Sequence, residues 1–288
     1  MKPSDPLIIE TTRDMQCWAD GERAEGRHIG LVPTMGGLHP GHVSLVRIAQ
    51  RYSQRVVVSI FVNPTQFGPG EDYARYPRDR PADVRLLRGV GTDVVFAPPV
   101  EEIYPEGDAT RVSVSRLTDG LCGHDRPGHF DGVTTVVPRL FQAVKPHLVV
   151  FGEKDYQQLV VVRRMARDLL FDVEILSAPT VREPDGLAMS SRNAYLSPAA
   201  RQQASALNAA LAEVRNRLRA GERDVRALLE CARKRLAKEP LAEIDYIDIR
   251  GAKNLEILET IDRRAVMALA VRFEGARLID NTILEVGE

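Results

Sequence analysis

The order of apolar and amphipathic segments predicts an α/β protein. The expected fold is a Rossmann-like, mostly parallel sheet with helices on both faces, followed by a smaller C-terminal α+β domain. Three observations carry this expectation. Short β-branched runs such as Arg55–Phe61 (RVVVSIF) alternate with helical periodicity through the first part of the chain, which implies right-handed crossovers. Polar, Gly- and Pro-containing segments follow directly on the apolar strands, where parallel sheets bind ligands. After about Thr180 the order changes to long helices and then a hairpin.

Taken in order, His28–Thr34 reads as a short buried strand, Met35–Gly41 as a glycine-rich bend, and His42–Tyr52 as a helix. Arg55–Phe61 is the next strand, by its β-branched content. A helix is expected over Pro81–Val90 and a strand over Asp93–Ala97, with Arg111–Ser115 as a further strand candidate. Phe130–Val144 reads as a helix, Leu148–Phe151 as a strand, Tyr156–Leu170 as a helix and Asp172–Ser177 as a strand. Pro198–Ala220 reads as one long helix with Ser197 as its N-cap, and Val225–Lys238 as another. Ile244–Arg250 alternates like a strand, and Ala265–Val271 pairs with Arg277–Leu284 across a Glu274–Gly275 turn. The expected division is 1–180 and 181–288.

Composition narrows the classes. The 288 residues are 44% hydrophobic and 27% charged, the balance of a globular protein with a sizeable core. Lys plus Arg number 39 against 40 Asp plus Glu, so no basic excess points to nucleic acid. Cys17, Cys122 and Cys231 lie far apart without a C-x-x-C, which suggests neither a disulfide framework nor a zinc ribbon. The opening MKPSDPLIIE lacks the apolar run of a signal peptide, and no stretch approaches the ~18 apolar residues of a membrane span. The expectation is a cytoplasmic protein with no membrane and no nucleic-acid partner.

Four segments carry chemistry. The first is Pro33, Thr34, Met35, Gly36, Gly37, Leu38, His39, Pro40, Gly41 and His42. Strand, glycine bend and helix N-terminus form a phosphate-binding arrangement, in which the helix end is expected to offer free N–H groups and a partial positive charge, though not a P-loop, since no Gly-Lys-Ser/Thr follows. His39 and His42 share a helical face and can donate to phosphate oxygens. The same spacing suits a capped helix with surface histidines, and a zinc pair lacks an evident third ligand. The second segment, Ser59–Gly68, ends a strand in Asn63-Pro64 and then Gln66. Its two amides suit a substrate bearing hydroxyls and a carboxylate. The third contains Gly152, Glu153, Lys154 and Asp155, followed by Gln157 and Gln158, again between strand and helix. Lysine meets phosphate there, and the acidic pair suits ribose hydroxyls or a metal, unless it only favours the helix start. The fourth, Thr180–Asn193, holds a Pro-Asp-Gly turn, Ser190, Ser191 and Arg192 and reads either as phosphate ligands or as a polar linker. Leu121–Gly132 shows neither strand nor helix periodicity and reads either as a functional loop or, more commonly for such stretches, as flexible surface. Cys122 within it is a nucleophile candidate that no surrounding motif supports.

Together the phrases PTMGGLHPGH, SIFVNPTQFG, LCGHDRPGHF, FGEKDYQQL and VREPDGLAMSSRN resemble the pantoate–β-alanine ligase family. The likeness runs in order over nearly the whole first domain and through the junction. The family belongs with the HIGH- and KMSKS-type nucleotidyltransferases. His39-Pro40-Gly41-His42 is similar to the first signature and Met189-Ser190-Ser191-Arg192 to the second, with Arg192 where a lysine can sit. Gly37 and Pro40 stand where the family more often has Ala and Glu; Pro40 suits a first helical turn.

The resemblance implies that Met35–His42, with Pro33 and Thr34 before them, bind ATP and that His42 is the catalytic donor. It implies ATP contacts also for Gly152, Glu153, Lys154, Asp155, Val181, Met189, Ser190, Ser191 and Arg192. It makes Gln66 and Gln158 ligands of (R)-pantoate, with Gln66 near the β-alanine site. It further implies Mg²⁺, through ligands the sequence does not identify, and a homodimer. The implied reaction makes pantoyl adenylate from ATP and then an amide with β-alanine, with His39, His42, Lys154 and Arg192 stabilising phosphate charge. A nucleotidyltransferase with a stable dinucleotide product and a non-catalytic nucleotide- or RNA-binding module are the alternatives.

Overall fold

Residues 5–286 are described in the computed structural model of the chain; the first four residues of MKPSDPLIIE lie outside them. By compactness the chain divides into two units. One comprises Met1–Arg116, Arg126–Glu153 and Val161–Pro179; the other comprises Leu117–Asp125, Lys154–Val160 and Thr180–Glu288.

The first unit is built on a six-stranded, wholly parallel sheet. Its elements run β1 (Leu7–Ile9), α1 (Thr12–Ala24), β2 (Ile29–Thr34), α2 (Pro40–Tyr52), β3 (Arg55–Ile60), α3 (Arg80–Gly89), β4 (Val94–Phe96) and α4 (Val100–Ile103). After α5 (Cys122–Asp125), which falls in the other unit, come α6 (His129–Val144), β5 (Leu148–Gly152), α7 (Tyr156–Asp168) and β6 (Glu174–Ala178). The strand order is β1-β4-β3-β2-β5-β6. The chain therefore winds outward from β2 through β3 to β4, and from β5 to β6 on the opposite side. The order reverses between β2 and β5, and ligands in such sheets bind outside the carboxyl ends of the strands at that reversal.

Period-two alternation places helices on both faces. Val32, Val56, Val58, Val95 and Val150 pack with Leu45, Val46 and Ala49 of α2 and Leu87 of α3. The intervening Leu31, Val57, Val94 and Val149 are equally buried and point to the face where α1 and α6 meet β2. Most of α6 is buried along its length.

The second unit stacks α8 (Pro198–Ala204), α9 (Ala206–Arg219) and α10 (Val225–Leu236) on an antiparallel sheet of β7 (Ala242–Gly251), β8 (Ala265–Phe273) and β9 (Ala276–Leu284). The β8–β9 turn is the expected Glu274–Gly275 pair, both with positive φ (49° and 85°), as a two-residue hairpin of type I′ requires. Among the described residues no helix is long and apolar enough to cross a membrane.

Two expected elements differ. Arg111–Ser115 is not a strand. The backbone of Val112 pairs instead with threonines of α6: its N–H donates to Thr135 Oγ1 (3.1 Å) and its C=O accepts from Thr134 Oγ1. The expected long helix 198–220 is two helices joined at Ser205, where the hydroxyl donates to Gln202 C=O, a local bond that competes with helix continuation. Ser197 caps α8 as expected.

Candidate active site

The glycine bend leaves β2 at its carboxyl end, and the register Leu31↔Val149 brings that end beside the end of β5. Gly36 and Gly37 both have positive φ (83° and 62°), which explains two consecutive glycines. The bend is held from beneath. Thr34 Oγ1 donates to Ser59 C=O (2.6 Å) and accepts from Gly36 N–H (3.2 Å). Asp83, on the inward face of α3 and only 4% exposed, accepts from Gly37 N–H (3.0 Å) and Leu38 N–H (2.8 Å). Burial pushes this carboxyl above its ordinary range, and the two N–H bonds only partly oppose that.

The start of α2 is capped by its own histidines. His39 is the N-cap and Pro40 the first helical residue. His39 Nδ1 accepts from Gly41 N–H (3.2 Å), and His42 Nδ1 accepts from His39 N–H (3.3 Å), a reciprocal capping box made of imidazoles. The rings lie 4.1 Å apart. This corrects the expectation that bend and helix terminus offer free N–H groups: those of Gly36, Gly37, Leu38, His39 and Gly41 are all engaged within the protein. The correction also has a chemical consequence. A ring that accepts at Nδ1 carries its proton on Nε2, so both imidazoles become donors of fixed tautomer.

Asn63 and Gln66 bound a 3₁₀ turn, Pro64–Gln66. Asn63 is 1% exposed and committed to the protein. Its oxygen accepts from Thr65 N–H, Thr65 Oγ1 and Tyr104 OH, and its nitrogen donates to Gly132 C=O and Gln66 Oε1. Asn63, expected to face a substrate, builds the turn in this structure. Gln66 Nε2 donates to Met35 Sδ (3.2 Å), so the amide of the second segment meets the thioether of the first. A thioether is a weak acceptor, readily exchanged for a substrate oxygen. The turn approaches α6 so closely that a Cβ on Gly132 would lie 2.5 Å from the Thr65 carbonyl carbon.

Of the third segment, Gly152 and Glu153 belong to the first unit. A Cβ on Gly152 would meet nothing within 4 Å, so the end of β5 is open. Glu153 Oε1 accepts from Ser177 Oγ (2.9 Å). Lys154, Asp155 and Gln158 belong to the second unit. Lys154 Nζ lies 3.9 Å from Asp155 Oδ2, and Asn281 Nδ2 donates to Lys154 C=O. The neighbouring glutamines differ in use. Gln157 is buried and anchors Leu117, Gly120 and Cys122 by their backbone, whereas Gln158 is half-buried, three residues into α7.

The fourth segment is a built element of the second unit, not a slack linker. Arg182 pairs with Ala188 as a β-bridge, and Met189 N–H donates to Val181 C=O. Arg182 grips the buried Asp280 carboxylate with two bonds of 2.6 and 2.9 Å. Glu183 and Asp185 both bind Arg201, which holds their carboxyls below the usual range. Ser190 Oγ accepts from Arg192 N–H and so caps a 3₁₀ turn over Ser191–Tyr195.

The first unit thus gathers Pro33–His42, Gln66, Gly152 and Glu153 at one sheet edge; Lys154, Asp155, Gln158, Val181 and Met189–Arg192 lie in the second. Sequence reasoning overlooked Asp83, Arg126, His129 and Gly132, which shape the first unit's site. Asp83 had a readable sign: a charged residue four positions before Leu87 on a helix's apolar face. Cys122 is buried in the second unit beside Tyr246 OH (3.3 Å). Among the described residues no three His, Cys, Asp or Glu side chains converge on a possible metal position. A Mg²⁺ held by one or two side chains together with nucleotide phosphates needs no such cluster.

A family model described as "Pantoate-beta-alanine ligase" matches residues 7–283. The chain is 53% identical over 279 residues to "Pantothenate synthetase" of Heliobacterium modesticaldum, covering 97% of this chain and 99% of that one. A crystal structure of pantothenate synthetase from Thermus thermophilus superposes with a TM-score of 0.92 at 49% identity, covering 98% and 100% of the two chains. The Francisella tularensis pantoate-beta-alanine ligase, "Complexed with Beta-gamma ATP and Beta-alanine", gives 0.81 at 32% identity, with 96% and 97% coverage.

Proposed function

Because the chain belongs to the pantoate–β-alanine ligase family, we propose that it condenses (R)-pantoate with β-alanine at the expense of ATP, releasing AMP and pyrophosphate through a pantoyl adenylate. The observation that carries the site assignment is the meeting of Gln66 with Met35 beside the histidine-capped start of α2. It sets a hydroxy-acid-binding amide against the loop assigned to ATP.

In the first step the pantoate carboxylate attacks the α-phosphorus and pyrophosphate leaves. The work is positioning and charge stabilisation, without a protein nucleophile. His42 and His39 donate from Nε2 to phosphate oxygens, a role their capped tautomers prepare. The open end of β5 at Gly152 receives part of the nucleotide. Gln66 holds pantoate through hydroxyl and carboxylate, aided by Gln158. Lys154, Asp155, Val181 and Met189–Arg192 of the second unit add nucleotide contacts, and exclusion of water protects the mixed anhydride. In the second step the β-alanine amine attacks the acyl carbon and AMP departs. A Mg²⁺ bound with ATP would be held chiefly by phosphate oxygens and water and would neutralise their charge. Family likeness further supports a cytoplasmic homodimer.

The test is product analysis. Incubation with ATP, pantoate and β-alanine should give AMP, pyrophosphate and pantothenate in equal amounts. A stable dinucleotide, or no ATP turnover, would overturn the reading.

A further inference from the structure

We infer that Arg126 and His129 are positioning residues for the hydroxy acid, acting through the backbone carbonyl of Gln66. The inference rests on the reading of Gln66 as a pantoate ligand.

Two side chains converge on this one carbonyl. His129 Nδ1 lies 2.8 Å from Gln66 O and Arg126 Nη2 lies 3.2 Å from it. The carbonyl only accepts, so His129 carries its proton on Nδ1. Its Nε2 is then an acceptor, and Arg126 Nη1 lies 3.2 Å away to donate to it. Arg126 is in turn fixed by Glu71, with Nε to Oε1 and Nη2 to Oε2 both at 2.6 Å, the bidentate geometry that only a guanidinium offers. Each member thus fixes the next: Glu71 orients Arg126, Arg126 sets the tautomer of His129, and both donors fix the peptide plane after Gln66.

A chain carbonyl at a half-buried turn needs one partner. Two, one of them an arginine already paired with Glu71, exceed that need. The clamp also complements what holds the other end of the turn. Asn63 and the close approach at Gly132 fix where it begins; the clamp fixes where it ends, just before Phe67 packs edge-on against Tyr73 and Tyr76. The Gln66 amide is left aimed at Met35, where the substrate oxygen is to stand.

The experiment measures KM for pantoate and for ATP, kcat and melting temperature on the full chain, for His129→Ala, His129→Asn, His129→Gln, Arg126→Lys and Gln66→Ala. Loss of a donor to this carbonyl should raise the pantoate KM about tenfold in His129→Ala, with the ATP KM within about twofold. His129→Asn should recover most of the loss, because its amide nitrogen stands where Nδ1–H stands. His129→Gln should not, because its amide reaches the place of Nε2. Arg126→Lys should resemble His129→Ala, since an ammonium cannot serve Glu71 and Gln66 in one plane. Equal pantoate KM in the Asn and Gln variants, or parallel rises for both substrates, would overturn the inference. If Arg126→Lys does not fold, the three His129 variants decide it alone. Gln66→Ala separates the two claims. Should it raise the pantoate KM while the His129 and Arg126 variants do not, only the clamp falls. Should it leave the pantoate KM unchanged, the reading of Gln66 falls and the clamp with it.

Discussion

Replacing Asp83 by Asn tests how the glycine bend proposed to bind ATP is held. The aspartate accepts from two consecutive N–H groups, of Gly37 at 3.0 Å and Leu38 at 2.8 Å. An asparagine keeps one acceptor oxygen and turns an NH₂ toward the second N–H, donor against donor. One charge-assisted bond is lost, worth about 1.5–3 kcal/mol. Relief from burying a charge returns part of that, since burial already holds this carboxyl above its ordinary value. The net cost to loop geometry is about 1–2 kcal/mol, or about 5–30-fold in the ATP KM. The assay is pantoate-dependent ATP–pyrophosphate exchange with pantoate saturating, beside thermal melts. The pH dependence has a defined sign. A carboxyl whose pKa is raised on folding favours the fold below its ordinary 3.8, and that contribution is lost as pH rises through the raised value. The stability of Asp83→Asn relative to the parent should therefore improve with rising pH. A folded Asp83→Asn protein with an unchanged ATP KM would refute the assignment of Asp83 to the loop.

Glu71 should show the opposite sign. Burial raises its carboxyl, but the bidentate Arg126 outweighs it and sets the group from 4.5 to about 2. Its stabilisation, ~3 kcal/mol by linkage, is present above pH 4.5 and lost as pH falls toward 2. Urea unfolding of the parent and Glu71→Gln should therefore converge in that window, and a constant difference would contradict the pairing. Gly132→Ala places a Cβ 2.5 Å from the Thr65 backbone and should cost about 1–3 kcal/mol of stability and raise the pantoate KM; a neutral melt would show that the turn can move aside. His42→Ala should lower pantoate-dependent exchange ~10²–10³-fold and stability by about 1 kcal/mol through the lost cap. Amide formation from supplied pantoyl adenylate should fall less, and equal losses in both half-reactions would defeat the assignment to adenylation.

The sheet was legible because buried parallel strands write themselves as unbroken apolar runs: Val56–Val58, Val94–Phe96 and Leu148–Phe151 stand out without context. The three-residue β1 and the polar α1 were not expected, the first for its brevity and the second for its exposed face. Arg111–Ser115 misled because its alternation is real, yet its backbone partners are side chains of α6, which no periodicity reveals. At the site, glycines and histidines were visible as motifs but their hydrogen bonds were not. The capping by His39 and His42 turned an expected set of free N–H groups into two donors of fixed tautomer. Asp83 and Arg126 act on carbonyls and N–H groups 45 to 60 residues away, contacts that only the folded chain creates. Arg126 and His129 did lie in the aperiodic stretch Leu121–Gly132, where function was one of two readings.

The most direct measurement is isotope exchange between pyrophosphate and ATP with β-alanine left out. An adenylate-forming ligase whose Gln66 and histidine-capped loop bring pantoate to the α-phosphorus should exchange when pantoate is present and not when it is omitted. Exchange that proceeds without pantoate, or that strictly requires β-alanine, would contradict the stepwise reaction and the site built for it.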